Sequence, residues 1–306
     1  MKRTIILLAL LALSAGLRAQ EKDVTKKSTS ADSLMNAMNT DEKTGPVVIF
    51  KSSRMILSQS TETVRKKNLN FLVIHRFGDF AGSNGGGKTY FGLDAVSDVY
   101  IGFEYGLSDN LNIDIGRTTI GGLADLELKY AILRQSRDGS SPFAITLLGE
   151  AGVAPYGSYV AFSDRTAFLG QVMIARKFSP WLSLQLTPTF VRDYTSPLLY
   201  PGNQQQFFAL MGMARLKLSN HMGFIIDYGH PFSSSRTTAN GFYDPLGFGI
   251  EIETGGHVFT INVTNSRAVS EINYLSNTQS NYSKGQFRVG FTISRMFDFN
   301  HKENSK

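Results

Sequence analysis

Residues 82–89 are the first in this 306-residue sequence whose types and spacing could do chemistry. Gly82-Ser83-Asn84-Gly85-Gly86-Gly87-Lys88-Thr89 fits the spacing G-x-x-x-x-G-K-[ST]. A phosphate-binding loop uses such a run to wrap phosphates in backbone N–H groups, neutralise them with the lysine and offer the hydroxyl to Mg²⁺. That chemistry also needs a parallel strand before the loop and a helix after it. A strand-like stretch at 68–77 precedes the run, but Tyr90 to Ser97 contains Gly92 and leads directly into another alternating stretch. The run therefore reads as a flexible external loop, and no nucleotide partner is expected.

The histidines form a thinner group. His75, His221, His230, His257 and His301 make no H-E-x-x-H pattern and no close pair, so no metal site is expected. With no cysteine there is no disulfide scaffold, thiolate site or cysteine nucleophile. No G-x-S-x-G elbow occurs either. His75 and His230 fall near strand ends, where a membrane-embedded lipid hydrolase would place its base, although polar strand-end residues are the simpler account. No catalytic residue and no cofactor is assigned.

The richest group consists of charges that alternate with apolar residues. These are Glu104, Asp114, Glu127, Lys129, Glu150, Arg215, Lys217, Asp227, Glu251, Glu253 and Arg288. If the apolar residues between them face lipid, the charges must face inward, because Lys or Arg on a lipid face costs about 2–4 kcal/mol at the bilayer midplane. Such a polar lumen could select a small polar solute by its rings of charge.

The elements that position these residues have a period of two. Val99, Ile101, Phe103, Tyr105 and Leu107 alternate with Tyr100, Gly102, Glu104 and Gly106. Leu126, Leu128, Tyr130 and Ile132 alternate with Glu127, Lys129 and Ala131, and Leu246, Phe248, Ile250 and Ile252 with Gly247, Gly249 and Glu251. Strands are predicted near 68–77, 98–107, 110–119, 124–135, 142–154, 165–178, 181–194, 206–218, 222–232, 245–254, 256–266 and 285–299. Stretches of about ten residues suit a tilted membrane-crossing strand. Short links such as Ser108-Asp109, Ser179-Pro180 and Gly255-Gly256 mostly alternate with longer ones at 78–97, 155–164, 195–205, 233–244 and 267–284. The fold class is all-β: an antiparallel, up-and-down transmembrane β-barrel of about twelve strands. Val47–Phe50 and Met55–Leu57, within 46–63, are either a pre-barrel segment tucked into the lumen or a first hairpin making fourteen. Tyr105, Trp181, Tyr194 and Tyr228 fall near strand ends, as an interfacial girdle would.

The net charge of +6 lies wholly in residues 1–70, which carry 12 Lys/Arg and 6 Asp/Glu, while the remainder balances 19 against 19. The high pI is therefore no argument for nucleic acid, and no nucleic-acid partner is expected. Met1-Lys2-Arg3 followed by the apolar run Thr4 to Leu13, with Leu17-Arg18-Ala19 before Gln20, reads as a cleaved export signal over residues 1–19. Residues 20–45 read as a disordered polar extension, 46–299 as the barrel and 300–306 as a polar tail.

Several runs resemble a family. His75-Arg76-Phe77-Gly78-Asp79, Phe91-Gly92-Leu93-Asp94, Ile101 to Gly106, Ala175 to Ser179, Asp244 to Gly247, Glu253 to Phe259 and Phe291 to Arg295 are together similar to an uncharacterised β-barrel family of Bacteroidetes outer membranes, a domain of unknown function. The resemblance implies a Gram-negative outer membrane, with its lipid and lipopolysaccharide as surroundings. It supplies no reaction and no catalytic residues. The ending Phe297-Asp298-Phe299 resembles the terminal strand that barrel-assembly machinery recognises, except for the polar tail that follows. The functional expectation is passive permeation or binding of a small polar solute through a narrow, charge-lined lumen. A closed structural or adhesive barrel binding a partner through its long loops, and a lipid hydrolase, are the alternatives.

Overall fold

The computed structural model describes residues 46–155, 161–193 and 205–299. The expected export signal, polar extension and tail lie outside the described residues, as do Tyr194 and parts of two long loops. The strands are β1 (Asn68–Asp79), β2 (Val96–Gly106), β3 (Leu111–Thr118), β4 (Ala124–Leu133), β5 (Ala144–Val153) and β6 (Thr166–Lys177). They continue as β7 (Leu182–Asp193), β8 (Gln206–Lys217), β9 (Met222–Phe232), β10 (Leu246–Thr254), β11 (His257–Thr264) and β12 (Arg288–Asp298). Each pairs with its sequence neighbours, and β1 pairs antiparallel with β12, so the sheet closes into a twelve-stranded barrel with no free edge.

Alternation determines which face each residue takes. Along β4 the outward Leu126, Leu128, Tyr130 and Ile132 are exposed, and the intervening Asp125, Glu127, Lys129 and Ala131 are buried. Similar outward apolar residues recur on other strands, such as Ile101, Phe103, Ile115, Ile250 and Ile261. On a closed barrel such a belt is the lipid-facing surface. The β10–β11 turn is Gly255-Gly256, with φ +45° and +88°; two successive left-handed residues turn the chain with the twist of the strands, and glycine adopts them without steric cost.

Three expectations need correction. Residues 47–57 add no hairpin to the wall, so the fourteen-strand alternative does not hold. They lie inside the barrel instead. The 267–284 link is not wholly an external loop: it contains helix α1 (Glu271–Asn277), nearly all of which is buried. The inner wall is also not uniformly polar. Leu148, Leu169, Met173, Val191, Met211, Met213 and Ile225 point inward and are buried, so part of the lumen on β5 to β9 is apolar. The Gly82–Thr89 run lies in the β1–β2 connection, and its second half begins a short 3₁₀ stretch, Gly86–Gly92, broken by left-handed Tyr90 and Phe91. No strand–loop–helix unit forms there, so the geometry of a phosphate-binding loop is absent.

Candidate functional site

The site is the lumen together with the segment that fills it. Residues 47–66 enter and leave by the mouth with the short turns. The Val47 amide donates to the carbonyl of Gln135, and the Lys66 amide to Asp109 Oδ1, both acceptors lying in connections at that mouth. Between these points the chain folds into a hairpin. The Met55 amide donates to Ser58 O (2.9 Å), the Ser60 amide to Ser53 O (2.8 Å), and Arg54 bridges to Gln59. The tip is Met55-Ile56-Leu57-Ser58, four buried residues.

Wall glycines make room for that tip. A Cβ on Gly247 would stand 2.6 Å from Ile56 Cγ2, and one on Gly249 would stand 2.9 Å from Ile56 Cδ1. Apolar residues of the hairpin cover the apolar wall: Ile49, Phe50, Met55 and Leu57 form one cluster with Leu148, Met173, Met211, Met213 and Ile225. Burying each such side chain is worth about 1.5–3 kcal/mol. An open barrel would leave that wall facing water.

Polar residues meet the charged wall. Asp227 accepts from the Leu57 amide (2.9 Å), the Ser58 amide (2.7 Å) and Ser58 Oγ (2.6 Å). Glu104 accepts from Ser53 Oγ (2.5 Å) and Asn70 Nδ2 (2.6 Å). Glu127 pairs with Arg54 Nη2 at 2.6 Å and accepts from Gln59 Nε2. Lys129 Nζ donates to Ser53 O and Gln59 Oε1, each at 3.2 Å. Gln185 accepts from the Thr61 amide (3.1 Å) and donates to Gln59 O (2.6 Å).

From the long-loop mouth α1 closes over the tip. Tyr274 Oη donates to Leu57 O (2.8 Å), and Glu271 accepts from the Gln59 amide (3.0 Å). Arg76 Nη2 donates to Ile56 O (2.9 Å), and its other terminal nitrogen donates to Ala268 O. Burial pushes the Glu271 carboxyl up to about 7, with Arg54 opposing the shift and Glu127 adding to it.

The remaining inward candidates spread over both mouths. Arg215 pairs with Glu251 (2.6 Å), and Glu253 with Lys51 (3.3 Å), beside the short turns. Arg288 pairs with Asp79 and donates to Asn265 O (2.9 Å) near the long loops. Asp114 and Glu150 are buried in the wall. Lys217 is exposed at the short-turn mouth, so it does not line the closed part of the lumen. It borders a cavity of about 300 Å³ with Lys51, Lys177, Arg215, His221 and Glu253.

Two of the histidines lie on the outer surface. The His75 ring stacks on Phe291 with centroids 5.3 Å apart, and His230 Nδ1 lies 2.9 Å from Asp244 Oδ2. Among the described residues no serine hydroxyl bonds either ring, so no Ser–His pair is assembled. Sequence reasoning named Glu104, Glu127, Lys129 and Asp227 on the wall but missed Arg76, Asp98 and Asp125 there, and missed Arg54, Gln59 and Glu271 in the segments that fill the lumen. The available signal was the pair of inward glycines, since glycine inside a strand marks a close approach of other atoms.

The sequence from 50 to 297 matches the family described as membrane bound beta barrel domain (DUF5777). The chain belongs to this family. No curated protein matches the sequence. Among solved structures, a NanC porin is 11% identical with a TM-score of 0.46, the match covering 76% of this chain and 100% of that one. A KdgM porin is 7% identical with a TM-score of 0.43, covering 76% and 99%. Outer membrane phospholipase A from Escherichia coli is 11% identical with a TM-score of 0.41, covering 77% and 92%. No activity is carried over from these likenesses.

Proposed function

We propose that the protein is an outer-membrane barrel, exported by its N-terminal signal, inserted by the barrel-assembly machinery among outer-membrane lipid and lipopolysaccharide, and closed at rest by its own hairpin. A small polar solute passes only when that hairpin moves. One observation carries this reading: Glu104, Glu127, Lys129 and Asp227, inward charges at the middle of the wall, are buried against residues 52–61 and do not line open water. The cavity below the hairpin is bordered by Lys51, Lys177, Arg215 and Lys217 against the single carboxylate of Glu253, and this excess of cations favours a small anion as the solute.

Planar-bilayer conductance tests it. The full chain is expected to show no resolved opening. A variant lacking residues 52–61 is expected to conduct, with a reversal potential biased toward anions. Equal conductance by both proteins, or a silent deletion variant that still runs as a folded barrel on a gel, would overturn the proposal. The second outcome would leave a closed structural barrel.

A further inference from the structure

Inside the lumen, the wall from β2 to β5 carries more negative charge than its neighbours neutralise. Glu104, Asp114, Asp125, Glu127 and Glu150 are buried there, joined by Glu271 from α1, and Arg54 and Lys129 are the cations they meet. Within this group the carboxylates of Asp125, Glu127 and Glu150 converge. One oxygen from each lies within 4.8 Å of the others, and the residues are 6%, 1% and 5% exposed. A Ca²⁺ ion binds oxygens at about 2.3–2.6 Å, so two ligands on opposite sides of it stand about 5 Å apart. The convergence has that size.

A second observation points into the same place. Tyr100 Oη donates to Asp125 Oδ1 at 3.1 Å and fixes that carboxylate, yet among the described residues Asp125 Oδ2 is buried with no hydrogen-bond partner. Glu271 on α1 lies next to this group, one residue removed through Gln59, and its Oε2 is buried without a hydrogen-bond partner among the described residues. Its other oxygen holds the amide of Gln59, whose side chain donates to Glu127. Arg54 pairs with Glu127, and among the described residues no cation stands within ion-pair distance of Asp125 or Glu150. Buried carboxylates in this state are satisfied by a further cation or by protons.

We infer that Asp125, Glu127 and Glu150 hold a divalent cation of the hard, oxygen-seeking class, of which Ca²⁺ fits the donor set. The ion sits where wall, hairpin and α1 meet. It reaches the site while the barrel folds, because the closed lumen shields it from solvent.

The test is metal content after refolding. Full-length protein is refolded from denaturant into lipopolysaccharide-free detergent with CaCl₂, or with EDTA, and bound calcium is measured after gel filtration. About one Ca²⁺ per chain is expected. Asp125→Asn with Glu150→Gln should lower it at least tenfold, and Glu150→Gln alone should lower it measurably. No retained calcium in the wild type, or equal retention in the double variant, would overturn the inference. The temperature at which the folded band is lost gives a second readout. Calcium should raise it for the wild type only, and in EDTA the double variant should match or exceed the wild type because like charges have been removed. A double variant that is less stable in EDTA would mean that these carboxylates serve only as hydrogen-bond partners. Neither readout involves transport, so failure here leaves the closed-barrel proposal intact.

Discussion

Arg54 shows what one side chain does in this lumen. Its guanidinium is buried, pairs with Glu127 at 2.6 Å and lies over the Tyr100 ring with 4.9 Å to the centroid. Removing one member of a buried pair typically costs about 3–5 kcal/mol, because the other charge is left without a counterion. Arg54→Ala should therefore loosen the hairpin without dissolving the wall, whose ladder bonds it does not touch. Limited proteolysis should show cleavage within 52–61 while the folded band survives on a gel; an uncleaved hairpin would count against this. Gly247→Leu acts from the other side. The new side chain occupies the space of Ile56, so the tip is expelled and conductance should appear, while the strand ladder keeps the barrel folded at lower stability. A silent Gly247→Leu protein would show that the tip has a second resting place.

At the scale of elements, the wall was legible because a strand with lipid outside and a lumen inside must alternate. β2, β4 and β10 follow that rule, and their bounds fall close to those read from the sequence. β8 follows it less plainly. Phe207, Ala209, Met211 and Met213 face inward while Phe208 faces out, so hydropathy alone cannot distinguish its faces. A lumen segment was one of two readings of 46–63, but its hairpin shape and its contacts were not legible, and neither was α1. Residues 52–61 mix serine, arginine and apolar residues without a period, because each contacts a different part of the wall. α1 is a 7-residue helix inside a long link, too short for a helical repeat to show. Its role is testable by replacing 267–281 with a short Gly-Ser linker. With Tyr274, Glu271 and the Ala268 carbonyl gone, the hairpin tip loses contacts at one end. Hydrogen exchange at Leu57 and Ser58 should speed up by at least tenfold, while exchange within β4 and β7 should stay slow. Unchanged protection at the tip would mean that the wall, through Asp227 and Arg76, holds it without α1.

For the molecule as a whole, charge is sorted between inside and outside. The outward belt is apolar, and Glu104, Asp114, Glu127, Lys129 and Asp227 are buried on the lumen side. Trp181, the one tryptophan of the chain, lies in the β6–β7 turn and is 58% exposed. Tryptophan at such a position sits at the headgroup level. Lipids brominated near the headgroup should quench its fluorescence more than lipids brominated near the chain ends; the reverse order would put the short-turn mouth at the wrong depth.

The hairpin's partners also impose an order of events. It precedes β1 in the chain, yet it bonds to Glu104 at a separation of 51 residues, to Asp227 at 170 and to Tyr274 at 217. Contacts between residues so distant along the chain form late, because loop closure is entropically costly until the intervening strands are in place. The segment synthesised before the first strand is thus among the last to settle. A refolding time course should show the barrel's gel mobility appearing before protease resistance at 52–61, and deleting those residues should leave the first rate unchanged.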